Sequence, residues 1–150
     1  MKGFTILEII ISLSIFLILV IIVVSSFSSF RNNQELTNAA QETTNLLNLA
    51  RSKTLSSESS SQYGVHFESS RIVIFRGTSF SESSPNNNIV TLSSLIEISA
   101  INLNGGGNNL VFQRLTGKTG NYGTITLRIK SDIGKTKIIE IKNTGIVNVL

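Results

Sequence analysis

The side chains that could perform catalysis or bind a metal are few in this 150-residue sequence, and they are scattered along it. The chain contains one His, no Cys and nine Asp and Glu residues, which excludes a thiolate zinc site, a Cys nucleophile and a His-rich metal cluster. His66 stands between two apolar residues in a strand-like run. The carboxylates form no close pair of the kind that general acid–base catalysis uses. The sequence therefore predicts no enzyme, no metal and no cofactor.

Two Gly-Lys-Thr tripeptides, at residues 117–119 and 134–136, could belong to a phosphate-binding loop. Such a loop requires another Gly five positions earlier, followed by a helix after the Lys-Thr pair. The earlier positions are Phe112 and Ile129, and both tripeptides lie between predicted strands. We interpret each tripeptide as a turn. The Ser residues are abundant, but the nucleophile pattern Gly-x-Ser-x-Gly does not occur.

The positive charge is concentrated in the last quarter of the chain. Residues 114–150 hold seven Lys and Arg side chains against two acidic ones, a net charge of +5, whereas the whole chain carries +4. Strand parity predicts a hairpin in which two basic residues share a face and two more lie opposite them. This ribbon could bind DNA phosphates in a salt-sensitive, sequence-independent way, or its lysines could protect a sheet edge from pairing. The residues concerned are Arg128, Lys130, Lys135 and Lys137.

The elements that must position these residues begin with a long apolar segment. No side chain from Ile9 to Phe30 is charged, and the stretch from Phe4 to Val24 matches the roughly 20 residues that cross a bilayer as a helix. A secretory signal peptide would have a shorter apolar core, and only the weak Ser26-Phe27-Ser28 resembles its cleavage site. A plain anchor leaves the carboxylate of Glu8 unexplained, because an ionised group in a bilayer costs at least about 2.5 kcal/mol.

A third interpretation rests on the stretch Lys2-Gly3-Phe4-Thr5-Ile6-Leu7-Glu8, in which a short basic leader ends in Gly and Glu is the fifth residue counted from Phe4. This stretch resembles the processing motif of type IV prepilins. The resemblance implies that prepilin peptidase cuts between Gly3 and Phe4 and that the new Phe4 amine is N-methylated. It also implies that Glu8 pairs with the N-terminal amine of a neighbouring subunit during assembly at an inner-membrane platform. Alternatively, the Glu8 carboxylate reaches the lipid headgroups.

The rest of the chain predicts one amphipathic helix followed by short strands. The helix would continue from the apolar segment and end in the Ser-rich run 56–61, with a stripe formed by Leu36, Ala39, Ala40, Thr43, Leu46, Leu47, Ala50, Thr54 and Leu55. Strands are predicted at 63–68, 71–76, 89–92, 95–103, 110–113, 124–130, 136–142 and 146–150, with a tight turn at 69–70 and a loop at 78–88. The fold class is therefore α+β: a leader (1–3), a transmembrane assembly helix (4–30), and an amphipathic helix with a small antiparallel β domain (31–150).

This order of elements resembles the GspH/FimT group of minor pseudopilins. The residues that carry the resemblance are 46–52, 63–65, Gly117, 124–125 and Gly145. The resemblance implies a structural subunit of a type IV pilus or a type II secretion pseudopilus, anchored in the cytoplasmic membrane with its β domain outside, whose partners are other pilin subunits. The alternative is a DNA-binding minor pilin of an uptake pilus. FimT-like DNA binders carry Arg after the Gly, but here Gly145 precedes Ile-Val-Asn-Val-Leu, so the usual DNA-contacting residues are missing.

Overall fold

The computed structural model describes residues 3–150, with the backbone alone at Ser25, so Met1 and Lys2 of the predicted leader lie outside the described residues. The chain forms one 50-residue helix, α1 (Ile6–Leu55), followed by a short 3-10 turn (Glu58–Ser60) and eight strands. It divides into two units, the first ending at Gln34 and the second running from Glu35 to Leu150.

The first unit is the apolar part of α1. Thr5 caps its start, because the backbone N–H of Glu8 donates to Thr5 Oγ1 at 3.3 Å. The hydroxyls of Ser14 and Ser26 donate to the carbonyl oxygens four residues earlier, so these polar groups are satisfied within the helix. The helix is long and apolar enough to cross a membrane by length and composition, with a mean hydropathy of 3.2 over 18 residues.

The second unit contains the remainder of α1, whose predicted stripe faces the core. Eight of the nine predicted stripe residues are buried, and the hydroxyls of Thr43 and Thr54 donate to carbonyl oxygens one turn earlier. Leu55 is the exception: it is 40% exposed, so the prediction that it widens the buried stripe is wrong. The helix ends at Leu55, and Ser57, Ser59 and Ser60 adopt positive φ angles directly after it. The predicted helix end in the Ser-rich run is confirmed.

Two four-stranded antiparallel sheets complete the second unit. The first has the order β3-β2-β1-β5 and consists of β1 (Tyr63–Phe67), β2 (Arg71–Arg76), β3 (Asn88–Thr91) and β5 (Asn109–Val111). The second has the order β4-β6-β7-β8 and consists of β4 (Ile96–Leu103), β6 (Gly123–Ile129), β7 (Asp132–Ile141) and β8 (Val147–Val149). One hydrophobic core joins both sheets to the stripe of α1. The α+β fold and the β1–β2 hairpin are as predicted.

One predicted turn is displaced. We expected a turn at the tripeptide 134–136 and a strand from Thr136, but β7 begins at Asp132, and the turn lies at Lys130 and Ser131. The register pairs Arg128 with Thr136 but Ile129 with Asp132, so three extra residues bulge out of β7. Gly134 is one of them, and it had been interpreted as part of the turn. The bulge shifts every basic residue of this hairpin relative to the expected pairing.

The loop 78–87 covers the face of the first sheet that points away from the core. Val73 and Phe75 on β2 are buried although they lie outside the main core cluster. Phe80 of the loop packs edge-on against Phe75, with the ring centroids 5.7 Å apart. Phe75 in turn lies over Gly64 on β1, where a Cβ atom would collide with its ring. Both faces of β2 are therefore buried and apolar, which explains the unbroken hydrophobic run of this strand.

Two backbone hydrogen bonds join the sheets at opposite ends. Ile98 of β4 donates to the carbonyl oxygen of Ser69 in the β1–β2 turn at 2.9 Å. At the other end, Thr119 pairs with Phe112 next to β5 and donates to the carbonyl oxygen of Asn143 at 3.0 Å. The first bond satisfies a backbone group of the outer strand β4, and the second joins the loop after β5 to the loop after β7.

Candidate functional site

The N-terminal motif lies at the start of α1 with its side chains exposed. Phe4 is 80% exposed, and no other atom lies within 4 Å of the position that a Cβ on Gly3 would occupy. Phe4 and Glu8 line the same shallow groove along the helix, together with Ile9, Ser12 and Leu13. Glu8 lies in the first turn, where the helix dipole favours a negative charge. The peptide bond that the motif predicts to be cut is therefore open to another protein.

Glu8 has no cationic partner within reach along its own helix. The next basic side chain after Lys2 is Arg31, roughly 35 Å along a helix at a rise of 1.5 Å per residue. No ion pair of Glu8 occurs within residues 3–150. A carboxylate in an apolar environment needs a compensating charge, and residues 3–150 do not supply one to Glu8.

The predicted basic ribbon is not formed as expected. The register places Lys137 opposite Leu127 and Thr136 opposite Arg128, so Lys135 and Lys137 do not lie opposite Arg128 and Lys130. Lys137 instead shares the face of Ile139 and Ile141, which point into the core. The expected pairing is wrong because the three-residue bulge in β7 changes the register.

Ion pairs neutralise part of the same hairpin. Arg128 Nε lies 2.6 Å from Glu97 Oε1 on the neighbouring strand β4. Lys135 Nζ lies 3.6 Å from Asp132 Oδ2 within the bulge. Of the four predicted phosphate-binding side chains, Lys130 and Lys137 form no ion pair within the described part of the chain.

A second group of cations, which sequence reasoning missed, lies at the other end of the β domain. Arg114 and Lys118 belong to the β5–β6 loop, and Lys142 directly follows β7; we call these three residues the loop cations. The bond from Thr119 to Asn143 brings the loop beside the end of β7. Lys142 Nζ lies 3.9 Å from Glu140, whereas Arg114 and Lys118 form no ion pair among residues 3–150. Only the contact between two distant loops reveals this group.

Arg51 connects the last turns of α1 to the same two loops. Its Nε donates to the carbonyl oxygen of Gly117 at 3.2 Å and its Nη2 to that of Thr144 at 3.4 Å. Gly145 has a φ of +79°, and a Cβ there would collide with the Gly117 carbonyl oxygen and lie 2.8 Å from Arg51 Nε. The family resemblance rests in part on Arg51, Gly117 and Gly145, which lie far apart in sequence. In the structure these three residues meet at one point, which we call the Arg51 junction.

His66 belongs to a polar network on the outer face of the first sheet. Its Nδ1 lies 2.6 Å from Asn109 Oδ1, its Nε2 lies 3.4 Å from Glu68 Oε1, and its ring stacks on Phe80 with centroids 3.9 Å apart. Arg71 donates to Glu68 through two hydrogen bonds of 2.8 Å, which hold the pKa of that carboxyl below its usual value. These contacts give His66 a structural role in holding the loop 78–87.

The comparisons with known proteins identify the fold. No protein-family profile and no curated protein matches the chain. Among solved structures, the type IV minor pilin FimU of Pseudomonas aeruginosa is similar at 16% identity with a TM-score of 0.62, over 81% of this chain and 92% of that one. The minor pseudopilin EpsH from the type II secretion system of Vibrio cholerae is similar at 16% identity with a TM-score of 0.56, over 79% of this chain and 94% of that one. The chain therefore has the pilin-like α+β fold of the type IV minor pilins and GspH-like minor pseudopilins, as the sequence resemblance predicted.

Proposed function

We propose that this chain is a structural minor subunit of a type IV pilus or a type II secretion pseudopilus. The observation that carries the proposal is the composition of α1: apolar and exposed in its first part, and amphipathic and buried in its second. Between Gly3 and Phe30 every side chain that the structure describes is exposed. An apolar surface of this extent needs lipid or other helices around it.

In this proposal, the chain first lies in the cytoplasmic membrane with the β domain outside. Prepilin peptidase cuts after Gly3, and the new amine of Phe4 is N-methylated. The helix then packs against neighbouring subunits as the assembly platform moves it out of the membrane. Glu8 pairs with the amine of an adjacent subunit. Because an unpaired charge is costly in the apolar filament core, this pair favours one axial register.

Co-expression of the full chain with a prepilin peptidase and an assembly platform tests the proposal. The intact mass should fall by residues 1–3 and rise by one methyl group, and Gly3→Leu should abolish both changes. Glu8→Leu should be processed normally but should be lost from sheared filaments, whereas Ser12→Ala, in the same helical segment, should be both processed and assembled. An unprocessed wild-type chain beside a processed control pilin would contradict the proposal.

DNA binding in an uptake pilus is the second candidate function. It is favoured by the net charge of +5 on residues 114–150 and by Arg114 and Lys118, whose charges no carboxylate neutralises within the described chain. Two charge-reversal variants of the full chain in detergent micelles separate the two basic regions: Lys135→Glu/Lys137→Glu and Arg114→Glu/Lys118→Glu. The affinity for a short mixed-sequence duplex should fall with salt and should be lost in one variant. A Kd no better than roughly 10⁻⁴ M at physiological salt would contradict a DNA-binding function, and only the structural role would remain.

A further inference from the structure

We propose that the second sheet carries a binding site for a neutral glycan, a chain of β-linked pyranose sugars. The site is an open pocket of about 410 Å³, within the range of roughly 300–1,000 Å³ that is usual for small-ligand sites. We call it the Tyr122 pocket; the polar and aromatic residues that line it are Tyr122, Thr124, Glu140, Lys142 and Asn143. The inference concerns the β domain alone and does not depend on cleavage, membrane insertion or filament assembly.

The strand register brings the pocket residues together on the outer face of the sheet. Thr124 of β6 lies directly opposite Glu140 of β7, and both are half-buried. The residues on either side of Glu140 are buried in the core, so Glu140 and Thr124 point to the opposite face. Tyr122 and Lys142 each lie two positions further along the chain from these residues, where the same alternation places them on the same face.

Tyr122 supplies an exposed aromatic side chain on a fixed backbone. The side chain is 45% exposed, and its ring stacks on no other ring within residues 3–150. The backbone N–H of Asn104 donates to the Tyr122 carbonyl oxygen at 2.7 Å. Gly123 packs so closely against β4 that a Cβ there would collide with the Asn102 carbonyl oxygen. A ring held in this way can stack on the C–H face of a sugar with little loss of conformational entropy.

The polar groups of the pocket include both hydrogen-bond acceptors and donors. The Glu140 carboxylate accepts, the Lys142 ammonium donates, and the Asn143 amide does both. Glu140 Oε2 lies 3.5 Å from Asn148 Nδ2 and 3.9 Å from Lys142 Nζ. These contacts hold the carboxylate in place, and its Oε1 forms no hydrogen bond or ion pair within the described chain. Neighbouring hydroxyls of a sugar ring, which donate and accept, match this set of groups.

The charges of the pocket select a neutral ligand. Glu140 and Lys142 carry opposite charges and both line the pocket, so an anion would meet the carboxylate and a cation would meet the ammonium. A peptide strand would need free backbone groups, but β6 and β7 are the inner strands of the sheet, and their backbone groups pair with neighbouring strands. A polyhydroxylated ring with an apolar face uses both the aromatic side chain and the polar groups, so we commit to a glycan.

The test uses the full chain in micelles of a polyoxyethylene detergent, which has no sugar headgroup, with the disaccharide cellobiose as the probe. Two-dimensional amide NMR should show saturable shifts at Tyr122, Thr124 and Glu140 and none at Ile72 in the first sheet. Sorbitol carries hydroxyls without a ring face and should cause no saturable shift. The proposal is overturned if cellobiose causes no saturable shift, if sorbitol causes equal shifts, or if inorganic phosphate shifts these amides and cellobiose does not.

Substitutions of Tyr122 separate the ring face from the rest of the pocket. Tyr122→Ala should weaken cellobiose binding at least about tenfold, whereas Tyr122→Phe keeps the ring face and should bind within about twofold of the wild type. Thr136→Ala is the matched control, an exposed position on the same face of β7 outside the pocket, and should bind as the wild type does. Because Tyr122 is exposed, its variants should unfold at nearly the wild-type temperature. Undiminished binding by Tyr122→Ala would contradict the inference.

Discussion

Arg51 Nε donates a hydrogen bond to the carbonyl oxygen of Gly117 at 3.2 Å, although the two residues are 66 positions apart in sequence. The same guanidinium donates to Thr144 at 3.4 Å. One side chain on α1 therefore holds both the β5–β6 loop and the β7–β8 turn. The planar guanidinium suits this role, because its donors can reach two acceptors at once.

Replacing Arg51 with Ala should lower the free energy of unfolding by about 2 kcal/mol, since a hydrogen bond to a charged group contributes roughly 1.5–3 kcal/mol. Arg51→Lys should recover part of this loss, because an ammonium can reach one carbonyl oxygen but not both. Thermal unfolding of the full chain measures the effect. Arg114→Ala is the control, an exposed Arg without an ion pair within residues 3–150, and should change stability by less than about 0.5 kcal/mol. Equal losses in Arg51→Ala and Arg114→Ala would contradict the assignment.

Gly145→Ala should destabilise the β domain by about 3 kcal/mol. A side chain at its φ of +79° is strained, and its Cβ would also collide with the Gly117 carbonyl oxygen. Gly106→Ala is the matched control, because Gly106 has a similar φ of +71° but no atom within 4 Å of the Cβ position. It should lose only about 1 kcal/mol, the cost of the backbone conformation. Equal unfolding temperatures for the two variants would show that the nearby Gly117 carbonyl oxygen is not the reason why position 145 requires Gly.

Gly64→Ala should cost about 3 kcal/mol, because the new Cβ would collide with the Phe75 ring and lie 2.7 Å from the Leu110 carbonyl oxygen. Adding Phe75→Leu should recover part of that cost, since the smaller side chain removes the first collision and leaves the second. A double-mutant cycle from denaturant unfolding measures the coupling between the two positions. Strictly additive effects would show that Phe75 does not pack over Gly64.

Stability should depend on pH through Glu68. The hydrogen bonds from Arg71 lower the pKa of this carboxyl in the folded chain. Because the pKa is lower in the folded chain, the ionised Glu68 carboxylate stabilises the fold. This stabilisation is fully present above the unfolded-state pKa of about 4.3 and is lost as the pH falls through the folded-state pKa. The wild type should therefore unfold at a higher temperature than Glu68→Gln at neutral pH, and the difference should disappear in acid. A difference that persists unchanged at low pH would refute this origin.

Much of this architecture could be predicted from local patterns. The helical spacing from Leu36 to Thr54 identified the buried stripe of α1, and the strand predicted at 124–130 corresponds to β6, whose Ile125, Leu127 and Ile129 alternate on the core face. Both patterns arise because one face of an element is buried and the other is not. The Ser69-Ser70 pair identified the β1–β2 hairpin, because these two polar residues separate two apolar runs.

What could not be predicted depends on contacts between distant segments. The start of β7 was misplaced because Gly134 is typical of a turn, whereas the structure uses it in a bulge. The loop cations were missed because a tertiary hydrogen bond between Thr119 and Asn143 brings their loops together. Arg51 was recognised as part of a family-like run, but its two acceptors are backbone carbonyl oxygens, which no side-chain motif reveals.

The two backbone bonds that join the sheets also determine how the β domain unfolds. The bonds from Ile98 to Ser69 and from Thr119 to Asn143 lie at opposite ends of the sheets, so neither sheet can separate without breaking a bond that belongs to both. A shared core strengthens this coupling. We therefore expect the second unit to unfold in a single cooperative transition, and the amides of Ile98 and Thr119 to exchange with solvent only when the whole β domain opens.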